Sequence, residues 1–206
     1  MRHANRSKAP ACHARAGAGF TSIELLLCLA ICGTLLGIAV PLTTSALDEM
    51  RTGMAARYVA GRILAARLDA LQRSACVGFR FEPSGADYSV ATYTDGNQNG
   101  VRSAEIASGI DSLVTAAERL ADRFSSVRFG LAAAVPDLDG TRQMADSDGV
   151  RIGSPRILTL SPDGTATSGT LYVRGVRAQY AVRVLGATGR TRVFRYHGGA
   201  QQWLSR

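Results

Sequence analysis

From Ile23 to Val40 the chain carries a single charge, Glu24, in a run dominated by Leu, Ile and Val. At about 1.5 Å of rise per residue, roughly 20 helical residues match a hydrocarbon core of about 30 Å. The ten Leu, Ile and Val residues of 20–41, at about −0.5 kcal/mol each, outweigh one acid at about +3. A membrane-spanning helix over 20–41 follows. Before it, residues 1–19 hold Arg2, Arg6, Lys8 and Arg15 and no acid. Such a flank stays in the cytoplasm, which puts the bulk of the chain on the other side. The run is longer than the apolar core of a secretory signal, and no A-x-A site follows it. The expected cut therefore precedes the run, between Gly19 and Phe20, and leaves the helix on the mature chain.

Glu24 is expensive near the start of a lipid-facing helix, so a partner is expected. Thr21-Ser22-Ile23-Glu24 fits a capping box. A sharper reading pairs Glu24 with the newly exposed α-amine of Phe20 in a neighbouring subunit. The two readings are compatible.

The stretch Gly19-Phe20-Thr21-Ser22-Ile23-Glu24-Leu25-Leu26 resembles the G-F-T-L-I-E-L-L motif of type IV pilin-like proteins, departing only at Ser22. The resemblance implies that a prepilin peptidase cuts after Gly19 and methylates Phe20. It also implies that Glu24 guides subunit docking and that Pro41 is the helix-bending proline of such chains.

Beyond Pro41, Leu47, Met50, Met54, Tyr58, Gly61, Ala65, Leu68 and Leu71 recur at helical spacing, with charges on the other faces. One rod from about Phe20 to about Arg73, bent at Pro41, is expected. A sheet should cover its apolar stripe. Short β-rich runs at 76–82, 86–93, 156–161, 169–174, 178–185 and 190–196 are separated by Gly and Pro turns, which predicts a mostly antiparallel sheet or sandwich. A short helix is expected at 112–122 with Asp111 as N-cap. The fold class is α+β: leader 1–19, membrane half 20–41, amphipathic half 42–74 and β-rich domain 75–206. Ser161-Pro162-Asp163-Gly164, Ser168-Gly169-Thr170-Leu171 and Gly189-Arg190-Thr191-Arg192-Val193 also resemble the C-terminal half of the GspH/FimT branch. That likeness implies a β-sandwich behind the helix and a place in a tip complex with other minor subunits.

Cofactor and ligand chemistry is sparse. Asp95, Asn97 and Asn99 begin a D-x-N-x-N-G calcium loop, but its twelfth position is Ile106, and Glu105 comes one residue early. Bound calcium would stiffen a long loop; the plain alternative is a polar turn. Cys28 and Cys32 lie one helical turn apart without further ligands, so they read as small apolar fillers. Cys12 is in the leader, and Cys76 has no obvious partner. Asp137-Leu138-Asp139-Gly140-Thr141 matches a phosphatase nucleophile motif, but the mature chain would hold no lysine to complete it. With His3 and His13 in the leader, only His197 is left for catalysis. An enzyme is not expected.

The net charge of +8 falls to +4 once the leader is removed, leaving 20 Arg against 16 acids. Beyond Asp163 there is no acid, yet Arg174, Arg177, Arg183, Arg190, Arg192, Arg195 and Arg206 follow. Arg190 and Arg192 should share one face of a strand, where they could hold phosphates. Gly189-Arg190-Thr191-Arg192 also resembles the G-R-x-R of FimT-like subunits in DNA uptake, although arginines decorate sheet faces anyway. Trp203 reads as a packing residue, with base stacking as the sharper alternative. The expected role is a minor pseudopilin or minor pilin in the inner membrane, partnered by other such subunits, prepilin peptidase and lipid. The alternatives are a DNA-binding pilus subunit and a plain membrane-anchored binding domain.

Overall fold

The structure is a computed structural model that describes residues 19–140 and 148–205. The positive leader residues, Cys12, Thr141 and Arg206 lie outside the described residues. The chain divides into two compact units, Met1–Leu42 and Thr43–Arg206.

The described part of the first unit is exposed throughout and helical from Ser22 on. It belongs to α1, Ser22–Arg73, which contains Pro41. Proline removes one backbone donor and crowds the preceding turn. An apolar stretch of α1 is long enough to cross a membrane, with a mean hydropathy of 2.5 over 18 residues.

The second unit adds β1 (Val77–Ser84), β2 (Asp87–Thr94), α2 (Ser103–Ser108), β3 (Ser112–Arg119), α3 (Leu120–Arg123), β4 (Arg128–Phe129), β5 (Val150–Ile152), β6 (Ile157–Leu160), β7 (Gly169–Arg174), β8 (Gln179–Leu185), β9 (Arg190–His197) and β10 (Gln202–Ser205). One sheet runs β3-β2-β1-β6, the other β10-β9-β8-β7-β4, and every pairing is antiparallel. β5 and β4 share one edge of β7, opposite Gly169–Leu171 and Val173–Arg174 respectively. The fold is α+β, with a long helix packed on antiparallel sheets.

The core joins the inner face of α1 to both sheets. Ala55, Ala56, Ile63 and Ala70 meet Val77, Phe79 and Phe81 of β1, Leu158 and Leu160 of β6, and Leu171, Val173, Tyr180 and Val182 of β7 and β8. A smaller cluster, Leu131, Tyr172 and Ala181 with Phe194 and Trp203 against it, sits on the other side of the second sheet.

Two sequence expectations are corrected. Residues 112–119 form β3, and helix begins only at Leu120. β3 is exposed along nearly its whole length, so it lacks the alternation that marks a half-buried strand. Its shape comes from pairing with β2, 20 or so residues away. Nor does the sheet cover the Leu and Met stripe of α1. The covered face is Thr52, Gly53, Ala55, Ala56, Val59, Ile63, Ala66 and Ala70. Small residues let the strands come close: a Cβ on Gly53 would stand 3.0 Å from the Tyr180 hydroxyl. Of the expected stripe, Tyr58 alone packs against the core.

Candidate functional site: the outer helix face and the basic ends of a sheet

Thr21 immediately precedes α1, and its Oγ1 accepts the Glu24 N–H at 3.4 Å. That is the first half of the expected capping box. Phe20 is 78% exposed, and Glu24 is exposed as well. Among the described residues Glu24 makes no ion pair. Gly19, Phe20, Glu24 and Pro41 thus all lie on or beside the apolar stretch of α1.

In the second unit α1 turns its large apolar side chains away from its own domain. Leu47, Met50, Met54, Leu64, Leu68 and Leu71 are all at least 42% exposed. With Arg57 and Gly61 they advance by alternating steps of three and four, the spacing of an a/d seam. An apolar stripe of this extent on a soluble surface marks a contact. The seam is not a leftover of poor packing, because the opposite face of the same helix is fully buried.

Asp48 was not singled out in the sequence, yet it fastens the domain to this helix. Its carboxylate accepts the backbone N–H groups of Val176, Arg177 and Ala178 at 2.8, 2.8 and 2.9 Å. Burial pushes its pKa up, but the three donors and the nearby Arg177 outweigh that and hold it below the usual range. Glu49 accepts from Tyr180 and pairs with Arg195. Further along, Glu118 of β3 takes both the Arg62 guanidinium and the Tyr58 hydroxyl of α1. No sequence pattern announces such pairs, since the partners are 56 to 146 residues apart.

Arg190 and Arg192 are exposed on one face of β9. Arg192 stands opposite Arg183 of β8. Arg183 is held at both oxygens of Asp139, at 2.6 and 2.7 Å, whereas Arg190 and Arg192 form no ion pair among the described residues. Asp137 likewise accepts from Arg151 at 2.7 Å, so arginines engage both acids of the phosphatase-like motif. The Trp203 indole N–H donates to the Pro136 carbonyl, and its ring lies against Tyr172 and Tyr196. This is the packing role expected of it.

The Asp95 loop closes on itself. Burial pushes the Asp95 pKa up, yet backbone N–H groups of Gly100, Asn97, Gln98 and Asn99 bring it below the usual range. The Asn97 and Asn99 amides both donate to Glu105, at 3.1 and 2.7 Å. Buried Asp111, expected as a helix cap, instead accepts from the Gly96 and Arg102 N–H groups. Calcium requires about six to eight oxygens, and here the main candidates already serve the loop's own donors. Among the described residues no group of three His, Cys, Asp or Glu could hold a metal. Cys28, Cys32 and Cys76 are free thiols.

Over 68 residues the chain is 43% identical to a protein of Thermus thermophilus named pilin-like protein PilA1. For a third of its length, the chain is similar to a pilin-like protein. The match spans 33% of this chain and 42% of the relative. No family model matches the chain, and no solved structure matches it significantly. The apolar N-terminal helix is long enough for membrane anchoring.

Proposed function

We propose that this chain is a minor pseudopilin or minor pilin, a structural subunit of a type II secretion pseudopilus or a type IV pilus. The observation that carries the reading is the outward seam of Leu47, Met50, Met54, Leu64, Leu68 and Leu71. A helix that buries its small face in its own domain and keeps its large apolar face free is built to pack on other helices. In this reading prepilin peptidase cuts after Gly19 and methylates Phe20. Glu24 meets the Phe20 amine of the next subunit, the apolar half of α1 sits in the inner membrane, and the β-rich domain is periplasmic. The role is structural and not catalytic. N-terminal sequencing of the membrane-bound protein tests it: a start at Phe20 is expected, and a start at Met1 contradicts it.

A second reading, a DNA-contacting subunit, is favoured by Arg190 and Arg192, which are exposed, aligned and without an acidic partner among the described residues. Binding through them would fall steeply with salt. The full chain in detergent should then shift duplex DNA, and Arg190→Ala with Arg192→Ala should weaken that shift at least tenfold. Equal shifts from both proteins end this reading.

A further inference from the structure

The opposite end of the same sheet carries a second basic group with a different setting. The β7–β8 hairpin turns at residues 175–178, and the turn is clamped on Asp48 by three N–H donors. Gly175 fits so tightly there that a Cβ would lie 2.2 Å from the Thr52 hydroxyl and 2.4 Å from an Asp48 oxygen. At the tip Val176 is 68% exposed, and Arg177 is exposed beside it. Arg174 of β7 stands directly opposite Arg128 of β4. Like charges facing each other across a sheet are unfavourable. Among the described residues neither arginine forms an ion pair, and neither does exposed Arg51, three residues on from Asp48. The two acids beside Arg51 on α1 already have partners: Asp48 the hairpin N–H groups, Glu49 Arg195 and Tyr180.

Position supplies the partner. Asp48 follows Leu42 by six residues. Six residues rise about 9 Å as helix and span at most about 20 Å even when fully extended. In sequence the clamp thus lies close behind the apolar stretch of α1, and the exposed cationic tip is complementary in charge to an anionic surface. We propose that the β7–β8 tip is a membrane-docking element: Val176 dips into the interface while Arg51, Arg128, Arg174 and Arg177 meet the phosphates of anionic phospholipids. Basic groups are drawn to an anionic bilayer only within about a Debye length, roughly 8 Å at physiological salt. The tip can hold an unassembled subunit down on the bilayer, and the contact is broken when the subunit is lifted into a filament. The inference rests on the membrane-anchored reading above.

The test uses the full chain in vesicles with brominated acyl chains, either phosphatidylglycerol or phosphatidylcholine. The chain's single tryptophan, Trp203, gives the wild-type background. Val176→Trp should be quenched at least twofold more than that background in phosphatidylglycerol, and no more than it in phosphatidylcholine. Arg174→Gln with Arg177→Gln should remove the difference. The comparison between lipids needs no arginine variant, so a folding defect there leaves the test intact. A chain that floats with the vesicles while the tip tryptophan stays unquenched overturns the docking element alone. A chain that does not float overturns the anchor as well. Equal quenching in both lipids overturns the role of the arginines. Release of the tip by duplex DNA at physiological salt would assign the patch to nucleic acid instead.

Discussion

Removing the charge from Asp48 is expected to unfasten the β7–β8 turn. An Asn side chain offers one acceptor oxygen to three N–H donors, so Asp48→Asn should cost about 0.5–1.5 kcal/mol in urea unfolding at pH 7, the usual net worth of a hydrogen bond. The pH dependence has a definite sign. The folded pKa of Asp48 lies below its ordinary value, so the carboxylate contributes stability above the unfolded pKa of about 4. That contribution disappears as pH falls through the folded value. The gap between wild type and Asp48→Asn should therefore narrow below about pH 4; a gap constant from pH 7 to pH 3 would contradict this. Asp95 is lowered in the same way, through donors belonging to its own loop. Because the Asp95 and Glu105 oxygens already accept from the loop's own N–H groups, adding calcium or a chelator is expected to leave the melting temperature unchanged. A rise of several degrees with calcium would show that the Asn97 and Asn99 amides turn to present oxygen.

The two faces of α1 make opposite predictions. Ile63 is 2% exposed in the core and Leu64, its neighbour, is 53% exposed on the seam. Ile63→Ala should cost about 2–4 kcal/mol, whereas Leu64→Asp should change stability by no more than about 0.5 kcal/mol and still abolish entry into filaments. Thermal melts and filament fractionation measure both. The helical period was legible in the sequence, but the orientation was not. The stripe with the largest apolar residues is the natural choice for a core, yet close strand approach selects Ala and Gly instead. β1, β2 and β6 to β9 were legible because Val, Ile, Tyr and Phe runs sit between Gly turns. β3 was not, since an exposed edge strand written Leu113-Val114-Thr115-Ala116-Ala117 has no pattern to separate it from a helix. β4, β5 and β10 are two to four residues long, too short to carry a period.

Across the whole molecule the legible part of the candidate site is local and the rest is distant. Gly19, Phe20, Glu24 and Pro41 lie on or beside one helix, so spacing alone places them. Asp48 with residues 176–178, or Glu118 with Arg62, depends on pairing that only the folded chain provides. The second sheet separates its arginines that lack an ion pair among the described residues into a group near the helix clamp and a group at Arg190 and Arg192. Partners at its two ends therefore need not compete. The account turns on the seam of α1 as the surface through which subunits meet. A photo-crosslinking residue placed at Leu64 or Leu68 in cells, compared with one at exposed Ser108 of α2, tests that most directly. The account predicts crosslinks to pilin-like subunits from 64 and 68 and none from 108; no crosslinks from the seam, or equal crosslinks from all three positions, would contradict it.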